Sequence, residues 1–460
     1  MEVSEVVARA RAAQLVIADW DADRVHELTT AVAYAVARKD RAEELARLAV
    51  DETGFGNFED KVIKIERRVL GVLADLRQTP TVGVVEEDPA RGLVKIAKPV
   101  GVVAGLVPTT GPDATPPVKA LCALAGRNAI VFAAHPRSKR TTDAVVGYMR
   151  EACKQVGAPA DLIQVLPEAK IAFTQELMHQ VDLIVATGGA SMVKAAYSSG
   201  TPAFGVGVGN AVHVVDETAD LADAAAAIVT AKTFDYATSC LADNAVIAHE
   251  SVYDDLVERL VAAGGYVCDD AEKQALQAAM WPDGGEIPTP DVIAKSAGHI
   301  ARLAGMDVPE STTFLVIQED GVGHDHPFSG EKLSVVLALY RYAGQIGNAV
   351  ALVNAITDYQ GLGHTCGIHT TSDAHVDAIA YGTKTARVLV NQNLNEGAGS
   401  GRNGLPFTLS LSCGTWGGGI TTENVNARHF VNLTWVSRPS VKRMVDAESL
   451  FAGHILKYGT

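Results

Sequence analysis

Short apolar runs alternate with helical or loop segments between residues 101 and 187, and this alternation limits the fold more than any other feature. The runs are GVVAGLVPT (101–109), NAIVFAA (128–134), LIQVL (162–166) and VDLIVAT (181–187). Each run has the length of one buried strand, and the segments between them are long enough for crossover connections. Strands joined in this way lie parallel, so the sequence predicts an α/β fold with a doubly wound parallel sheet.

Two glycine-rich junctions follow the predicted strands. Gly188 and Gly189 come directly after VDLIVAT, and Ser191 is placed to cap the next helix; the second junction is GVGVG (205–209). Backbone amides at a glycine-rich turn before a helix bind anions, although glycines also serve in plain turns. Two such junctions in one α/β region favour a dinucleotide site.

Cys240 stands among small and polar residues in the segment KTFDYATSCLADN (232–244). The runs on either side predict a helix and a short buried strand, so we expect Cys240 to lie on a loop between them. An accessible cysteine on a loop is a candidate nucleophile, because its thiolate attacks carbonyl carbon readily. A packed core cysteine is the alternative interpretation.

Other polar side chains also allow two interpretations. Thr109 and Thr110 follow a strand end, where a hydroxyl could face an oxyanion or complete a turn. Glu331 could be a general base, a ribose ligand or a carboxylate at a helix start. The segments GHDH (323–326) and GHTCGIH (363–369) match no tetrahedral spacing, so we expect no metal site.

Charge and cysteine usage restrict the partners and the compartment. The chain has 39 basic and 54 acidic residues and a net charge of -15, with scattered basic residues, so nucleic acid is not an expected partner. Six cysteines without a C-x-x-C pair indicate reduced thiols. The N-terminal residues do not read as a signal peptide, and no apolar run reaches the roughly 18 residues of a membrane span. We therefore expect a cytoplasmic protein.

The regions outside the predicted sheet supply further elements. Residues 3–50 show helical spacing, residues 78–98 read as a hairpin around an Asp-Pro turn, and residues 429–439 alternate like a strand. The hairpin needs a partner strand, so it is a candidate oligomerisation arm. We expect the segment 323–342 to lead into a helix and residues 445–456 to form a closing helix.

Taken together, these segments resemble the acylating, coenzyme A-dependent aldehyde dehydrogenases, including the aldehyde dehydrogenase half of bifunctional alcohol/aldehyde enzymes. The resemblance covers about residues 45 to 430. The matching motifs are DETGFG, EDKVIK, KPVGVVAGLVPTT, RNAIVFAAHPRSK, DLIVATGGASMVKAAYSSGTPAFGVGVGN, KTFDYATSC, EKLS, GLGHT and CGTWGG. Two departures are Gly111, where the family usually has asparagine, and LADN after the cysteine.

The resemblance implies an aldehyde dehydrogenase-like α/β fold with two Rossmann-like domains and a β oligomerisation arm. The nucleotide-binding domain would comprise residues 1–77 and 99–215, and the catalytic domain residues 216–425. The arm would comprise residues 78–98 and 426–460 and pair across subunits of a homodimer or homotetramer.

The resemblance also implies roles for single residues. Cys240 would be the nucleophile, with the Thr110 side chain and the Cys240 amide at the oxyanion, and His364 matches a histidine typical of the acylating group. Glu331 would bind the nicotinamide ribose. The expected cofactor-binding residues are Thr109, His135, Arg137, Gly188, Gly189, Ser191, Gly207 and Glu331. Arg137 and its basic neighbours could accept phosphates of NAD or NADP, which leaves the cofactor preference open.

The implied activity is oxidation of a short aldehyde to an acyl-CoA through a cysteinyl thioester, with NAD(P) and coenzyme A. Gly205 stands where hydrolytic relatives carry a glutamate that activates water, which favours acyl transfer. Acetaldehyde and propionaldehyde are the first expected substrates. Sulfoacetaldehyde and succinate semialdehyde are alternatives, with Arg402 and Arg428 as candidate anion ligands. A hydrolytic aldehyde dehydrogenase and a non-catalytic microcompartment protein are the other interpretations.

Overall fold

The computed structural model describes residues 2–439 and 446–459. The helices are α1 (Val3–Ile17), α2 (Ala22–Ala37), α3 (Lys39–Thr53), α4 (Phe58–Gln78), α5 (Thr115–Ala125), α6 (Lys139–Gln155), α7 (Ile171–Gln180), α8 (Ala190–Ser198), α9 (Leu221–Thr233), α10 (Tyr253–Ala262), α11 (Asp270–Met280), α12 (Ala297–Leu303), α13 (Ile346–Tyr359), α14 (Asp373–Gly382) and α15 (Ala447–Tyr458). Among these, none combines the length and the apolar composition needed to cross a membrane.

The strands fall into three sheets, two of which are parallel. They are β1 (Gly83–Asp88), β2 (Leu93–Pro99), β3 (Val102–Leu106), β4 (Ala129–Ala133), β5 (Ile163–Val165), β6 (Leu183–Thr187), β7 (Ala203–Val206), β8 (Val212–Val215), β9 (Ala245–His249), β10 (Gly265–Val267), β11 (Phe314–Gln318), β12 (Val336–Tyr342), β13 (Cys366–His369), β14 (Val388–Val390) and β15 (Val431–Ser437).

One parallel sheet has the strand order β5-β4-β3-β6-β7, and the other has the order β10-β11-β12-β9-β8-β13-β14. Their central strands are buried along their whole length, as β3 and β4 illustrate. Helices cover both faces of such sheets, which explains why these strands read as continuous apolar runs. The predicted parallel α/β class is confirmed.

The third sheet is a three-stranded antiparallel arm in the order β1-β2-β15. Val431 pairs with Pro99 and Ser437 pairs with Leu93, so the chain's last described strand closes on the hairpin. The predicted hairpin and the predicted strand near residue 431 are therefore confirmed. Residues 440–445 of the predicted arm, including the first residue of the closing helix, lie outside the described residues. The domain limits stay a prediction.

One element differs from the sequence expectation. The segment 323–342 does not lead directly into a helix, because Val336–Tyr342 forms β12 between β11 and β9. This strand is buried on both faces except at Arg341. In a short run that is apolar on both faces, the residue pattern does not distinguish a buried strand from a buried helix. Pairing with β11 and β9 makes this segment a strand. The helix begins only at Ile346.

A buried ion cluster joins α4 to the turn that precedes Cys240. Asp235 Oδ2 accepts hydrogen bonds from Lys61 Nζ at 3.1 Å, from Lys64 Nζ at 2.7 Å and from Thr238 Oγ1 at 2.8 Å. The side chain of Asp235 is fully buried. Lysines 61 and 64 lie one helical turn apart on α4, so one carboxylate fixes the helix against the cysteine segment.

We predict that Asp235→Asn destabilises the protein by about 3 kcal/mol, because it leaves two buried ammonium groups without their shared carboxylate. Urea unfolding measures this free energy. Asp161→Asn is the matched control, since its partner Arg150 lies 2.8 Å away in a solvent-accessible pair worth about 1 kcal/mol or less. Equal effects of the two substitutions would show that the Asp235 cluster does not hold the two segments together.

Candidate active site

A cavity of about 570 Å³ opens at the carboxyl ends of the strands of the first sheet, and Cys240 lies in its wall. Ligands of open α/β sheets bind in this position, outside the strand ends. The loops that follow β3, β4, β6 and β7 line the cavity. Their lining residues include Thr109, Thr110, His135, Gly188, Gly189 and Gly207. Strand order therefore brings together residues that are far apart in the sequence.

The turn before Cys240 has an unusual backbone. Asp235, Tyr236 and Ala237 are consecutive non-glycine residues with φ values of 51°, 50° and 60°. A left-handed conformation costs such residues about 1–2 kcal/mol each, so the buried contacts of Asp235 must hold the turn in place. Cys240 follows this turn and precedes β9, as expected for a loop between a helix and a strand.

His364 is the imidazole partner of Cys240. Its Nε2 lies 3.2 Å from Cys240 Sγ, although the two residues are 124 positions apart. His364 is fully buried, and burial, together with the nearby Arg387 guanidinium, lowers its pKa to about 3. The ring is therefore neutral near pH 7, so its Nε2 either accepts a hydrogen bond from the thiol or donates its own N–H to the sulfur. In both forms it fixes the position of the sulfur.

Arg387 holds the segments that surround the cysteine. It donates from Nη1 to the His364 carbonyl at 2.9 Å, from Nη2 to the Ser412 carbonyl at 2.6 Å and from Nε to Asn424 Oδ1 at 2.7 Å. The side chain is buried, and no carboxylate within the described ranges forms an ion pair with it. A buried cation with only neutral partners gives the site a positive field. The sequence did not lead us to Arg387. The feature that could have indicated it is the single arginine inside the predicted strand KTARVLVNQ.

The surroundings of Cys240 favour the thiol over the thiolate. Burial raises the pKa of Cys240, the charges of Glu331 and Cys413 raise it further, and Arg387 lowers it. Burial is the largest of these effects because a charged sulfur loses its hydration. The site therefore needs local donors, or a bound carbonyl ready to accept attack, before the sulfur reacts.

Glu331 lies beside the cysteine and is held by the second glycine-rich junction. Its Oε1 accepts a hydrogen bond from the Gly209 amide at 3.1 Å, and burial raises the pKa of the carboxyl group to about 8. A Cβ at Gly209 would lie 2.4 Å from the Cys240 carbonyl oxygen, so only glycine allows this approach. Glu331 precedes strand β12, and the interpretation as a helix-start carboxylate is wrong.

Two hydrogen-bond donors lie near the place where an oxyanion would form. Thr110 lines the cavity, and its hydroxyl has no hydrogen-bond partner among the residues that the structure describes, while its carbonyl accepts from Lys64 Nζ at 3.4 Å. The Cys240 amide lies against its own sulfur and lowers the pKa of the thiol. Both groups can donate a hydrogen bond to a substrate oxygen.

The predicted cofactor-binding residues divide into two groups. Thr109, His135, Gly188, Gly189, Gly207 and Glu331 all line the cavity. Ser191 and Arg137 are exposed and are not in its wall. Ser191 does not cap α8, because the N-cap position is Gly189 and the helix already begins at Ala190. The guanidinium of Arg137 lies 5.7 Å from the centre of the Phe55 ring.

Gly205 does not face the cysteine. A Cβ at this position would lie 2.6 Å from Val193 Cγ1 and 2.7 Å from the Tyr197 ring, so the residue is required for packing of β7 against α8. Strand β7 thus places no carboxylate beside Cys240.

Of the described residues that line the cavity, Asp60 and Glu331 carry carboxyl groups. Asp60 Oδ2 already accepts the Asp235 amide at 2.7 Å.

Of the histidines considered for a metal, His364 is the partner of Cys240, whereas His324 and His326 lie outside the cavity wall. His326 Nδ1 is 2.9 Å from Glu319 Oε1, and Asp320 completes a group with ligand atoms within 4.8 Å of one another. A similar group contains Asp216 and His375. These residues do not line the cavity, and their hydrogen bonds are internal. The expectation that the chain has no metal site stays a prediction.

Comparisons with known proteins agree with this geometry. The model of the aldehyde dehydrogenase family matches residues 1–274. A sulfoacetaldehyde dehydrogenase from Acholeplasma sp is 43% identical, over 98% of this chain and 93% of the relative. An acylating sulfoacetaldehyde dehydrogenase from Bilophila wadsworthia is 41% identical, over 99% of both chains.

Solved structures show the same fold. An acetylating aldehyde dehydrogenase from Geobacillus thermoglucosidasius superposes with a TM-score of 0.91 at 36% identity, over 96% of this chain and 97% of that one. A propionaldehyde dehydrogenase from Rhodopseudomonas palustris, solved with bound CoA and an acylated cysteine, gives a TM-score of 0.86 at 27% identity, over 95% and 97%. A propionaldehyde dehydrogenase from a Clostridium phytofermentans microcompartment gives 0.85 at 26% identity, over the same shares.

The relatives and solved structures match over nearly the whole chain, and the structure itself places a cysteine in a cavity at the strand ends of a parallel α/β fold. The chain belongs to the aldehyde dehydrogenase family, in its CoA-dependent acylating group.

Proposed function

We propose that Cys240 is the nucleophile with which this NAD(P)-dependent, CoA-acylating aldehyde dehydrogenase oxidises a short aldehyde to its CoA thioester. The observation that carries the assignment is the pairing of Cys240 Sγ with His364 Nε2 at 3.2 Å in the wall of the cavity. Sulfoacetaldehyde is the first candidate substrate, because relatives that are 43% and 41% identical carry that name.

The first step would add the Cys240 sulfur to the aldehyde carbon. The S–C bond forms as the S–H bond breaks, and the proton would pass along the hydrogen bond to His364 Nε2, 3.2 Å from the sulfur. The carbonyl oxygen becomes an oxyanion that the Thr110 hydroxyl and the Cys240 amide can stabilise. Arg387, which holds His364 through its carbonyl, adds positive potential to the same site.

The cavity has room for a dinucleotide at its glycine-rich walls. A Cβ at Gly189 or Gly207 would meet no atom within 4 Å, so both backbones face open space where a phosphate or a ring can approach. NAD(P), when bound, supplies the hydride acceptor that converts the adduct to a thioester. Gly188 and Gly189 would hold the pyrophosphate, and Glu331 would bind the nicotinamide ribose.

The thioester is then open to the thiol of coenzyme A. Attack of the CoA sulfur on the acyl carbon forms the new S–C bond as the bond to Cys240 breaks, and the proton lost by the CoA thiol returns the leaving Cys240 thiolate to the thiol. Water is a poor competitor, because Glu331 is largely protonated near pH 7 and its Oε1 already accepts the Gly209 amide. The acyl group can therefore remain on Cys240 until the thiol of coenzyme A attacks it.

Assembly and location stay proposals. The arm of β1, β2 and β15 offers unpaired strand edges, which supports pairing in a homodimer or homotetramer. One structural neighbour comes from a bacterial microcompartment, which makes such an association a further candidate. The cytoplasmic location expected from the six free cysteines stays a prediction.

We predict that steady-state formation of reduced nicotinamide from aldehyde is faster with coenzyme A than without it, by roughly tenfold or more, because the thioester hydrolyses slowly. Absorbance of the reduced cofactor measures the rate, and the acyl-CoA product is identified by chromatography. Cys240→Ala should abolish the reaction, whereas Cys153→Ala, at a buried thiol outside the cavity, is the matched control. Equal rates with and without coenzyme A, with free acid as the product, would contradict the proposal.

A second prediction concerns the pH dependence of Cys240 alkylation by iodoacetamide. Because the pKa of the thiol lies above its ordinary value, the alkylation rate should rise about tenfold per pH unit between pH 6 and 8. Above about pH 8 Glu331 ionises, and its negative charge opposes the thiolate, so the wild-type slope should fall. In Glu331→Gln the steeper slope should persist. A wild-type plateau below pH 7, or identical slopes in both proteins above pH 8, would refute this electrostatic account.

A further inference from the structure

Two adjacent arginines of α4, Arg67 and Arg68, line the same cavity as Cys240 and the glycine-rich junctions. Arg68 is only 8% exposed. It donates from Nη1 to the carbonyls of Ala398 and Gly399, both at 2.8 Å, and from Nη2 to the Asn395 carbonyl at 2.9 Å. All these acceptors are neutral, so the guanidinium is fixed in place and its charge is not compensated by them.

Arg67 is exposed, and within the described parts of the chain it forms neither a hydrogen bond nor an ion pair. The other cations of the cavity wall already have partners: Lys64 Nζ lies 2.7 Å from Asp235, and Lys170 Nζ lies 2.6 Å from Glu168. Among the described residues of this wall, Arg67 is therefore the cation whose donors are free to bind a new anion, and Arg68 adds a fixed positive charge beside it.

Nearby acidic groups are engaged elsewhere. Asp60 accepts the Asp235 amide and the Asn57 side chain, both at 2.7 Å. Glu396, the acidic neighbour whose charge acts on Arg68, lies 3.7 Å from Arg402 and accepts the Ser400 hydroxyl. Burial, and the charge of Arg67, lower the pKa of Arg68 to about 10, so the group stays charged near pH 7.

The pair lies close to the cysteine. Ala398, whose carbonyl accepts Arg68, packs in one small apolar cluster with Leu241 and the partly buried Cys240. Lys64, one turn earlier on α4, reaches the Thr110 carbonyl at 3.4 Å, and one turn of helix advances about 6 Å. Arg68 thus lies one helical turn beyond the lysine that contacts Thr110, and both arginines line the same cavity as Cys240. A polar or charged far end of the aldehyde would meet these donors, whereas a methyl end would not.

We propose that Arg67 and Arg68 form an anion subsite that binds the terminal sulfonate or carboxylate of the aldehyde and selects anionic substrates over neutral ones. The inference rests on the proposed function, since it places the aldehyde carbon at Cys240. Arg68 supplies a fixed positive charge, and Arg67 closes on the anion with paired N–H donors. Local cations are required because the net charge of -15 repels an anion from the molecule as a whole.

The sequence offered two other arginines for this task, and neither lies in the cavity wall. Arg402 is exposed and lies 3.7 Å from Glu396, and Arg428 is also exposed. The signal that the sequence did carry was the pair in EDKVIKIERR, which sits on the same helix as the ion cluster of Lys61 and Lys64. Helical spacing places Arg68 on the face of Lys64 and Lys61.

The test compares Arg67→Gln with wild type on sulfoacetaldehyde, succinate semialdehyde and propionaldehyde at saturating coenzyme A and NAD(P). The ratio of kcat/KM for the anionic aldehydes to that for propionaldehyde should fall about tenfold or more, mainly through KM, because a charge-assisted hydrogen bond is lost. Arg402→Gln, the exposed arginine beside the same loop, should leave the ratio unchanged. The better of the two anionic substrates identifies the terminal group.

Two further readouts separate this role from a structural one. Raising the ionic strength should raise KM for the anionic aldehydes and leave KM for propionaldehyde unchanged. Arg68→Lys, which keeps the charge, should retain more of the selectivity than Arg68→Met. An unchanged ratio in Arg67→Gln, or equal losses on all three aldehydes, would overturn the anion subsite. Failure of the proposed function itself looks different: the wild-type enzyme would show no CoA-dependent turnover of any aldehyde.

Discussion

The buried carboxylate of Asp235 is the contact on which the site depends. It forms ion pairs with both Lys61 and Lys64 of α4, and it holds a turn in which three successive residues have left-handed backbones. Such a turn is unstable on its own, so its shape persists only because the ion cluster and the packing around it over-determine it. Cys240 follows directly, which means that the position of the nucleophile is set by a helix almost 180 residues earlier.

The second constraint is electrostatic. The site around Cys240 contains a buried guanidinium, Arg387, whose partners are neutral, together with an imidazole and a carboxyl group that are both largely uncharged near pH 7. Burial keeps Cys240 as a thiol, but a positive site without a fixed anion stabilises the negative charge that develops on a tetrahedral oxyanion. It offers water little general-base assistance. The same environment therefore helps the thioester form and slows its hydrolysis.

Much of this arrangement can be predicted from the sequence, and the failures have physical causes. The alternation of apolar runs fixes the parallel sheets, and the glycine junctions point to the cavity, because both signals are local. The prediction that segment 323–342 leads into a helix was wrong, because Val336–Tyr342 is a mostly buried strand and such a run carries no period that separates a strand from a helix. Arg387 and Arg68 could not be found, because their partners are backbone carbonyls from distant segments, which leave no trace in residue types. The role of Gly205 also changed, from a missing base to a packing requirement against α8.

The central claim is that an acyl group rests on one sulfur until a carrier thiol removes it. Peptide mass spectrometry of enzyme incubated with aldehyde and NAD(P), without coenzyme A, and quenched in acid tests this most directly. The account predicts that the peptide containing Cys240 carries the acyl mass, and that a chase with coenzyme A clears it and releases one equivalent of acyl-CoA. An unmodified Cys240 peptide together with accumulating free acid, or an acyl group on another cysteine, would contradict the account.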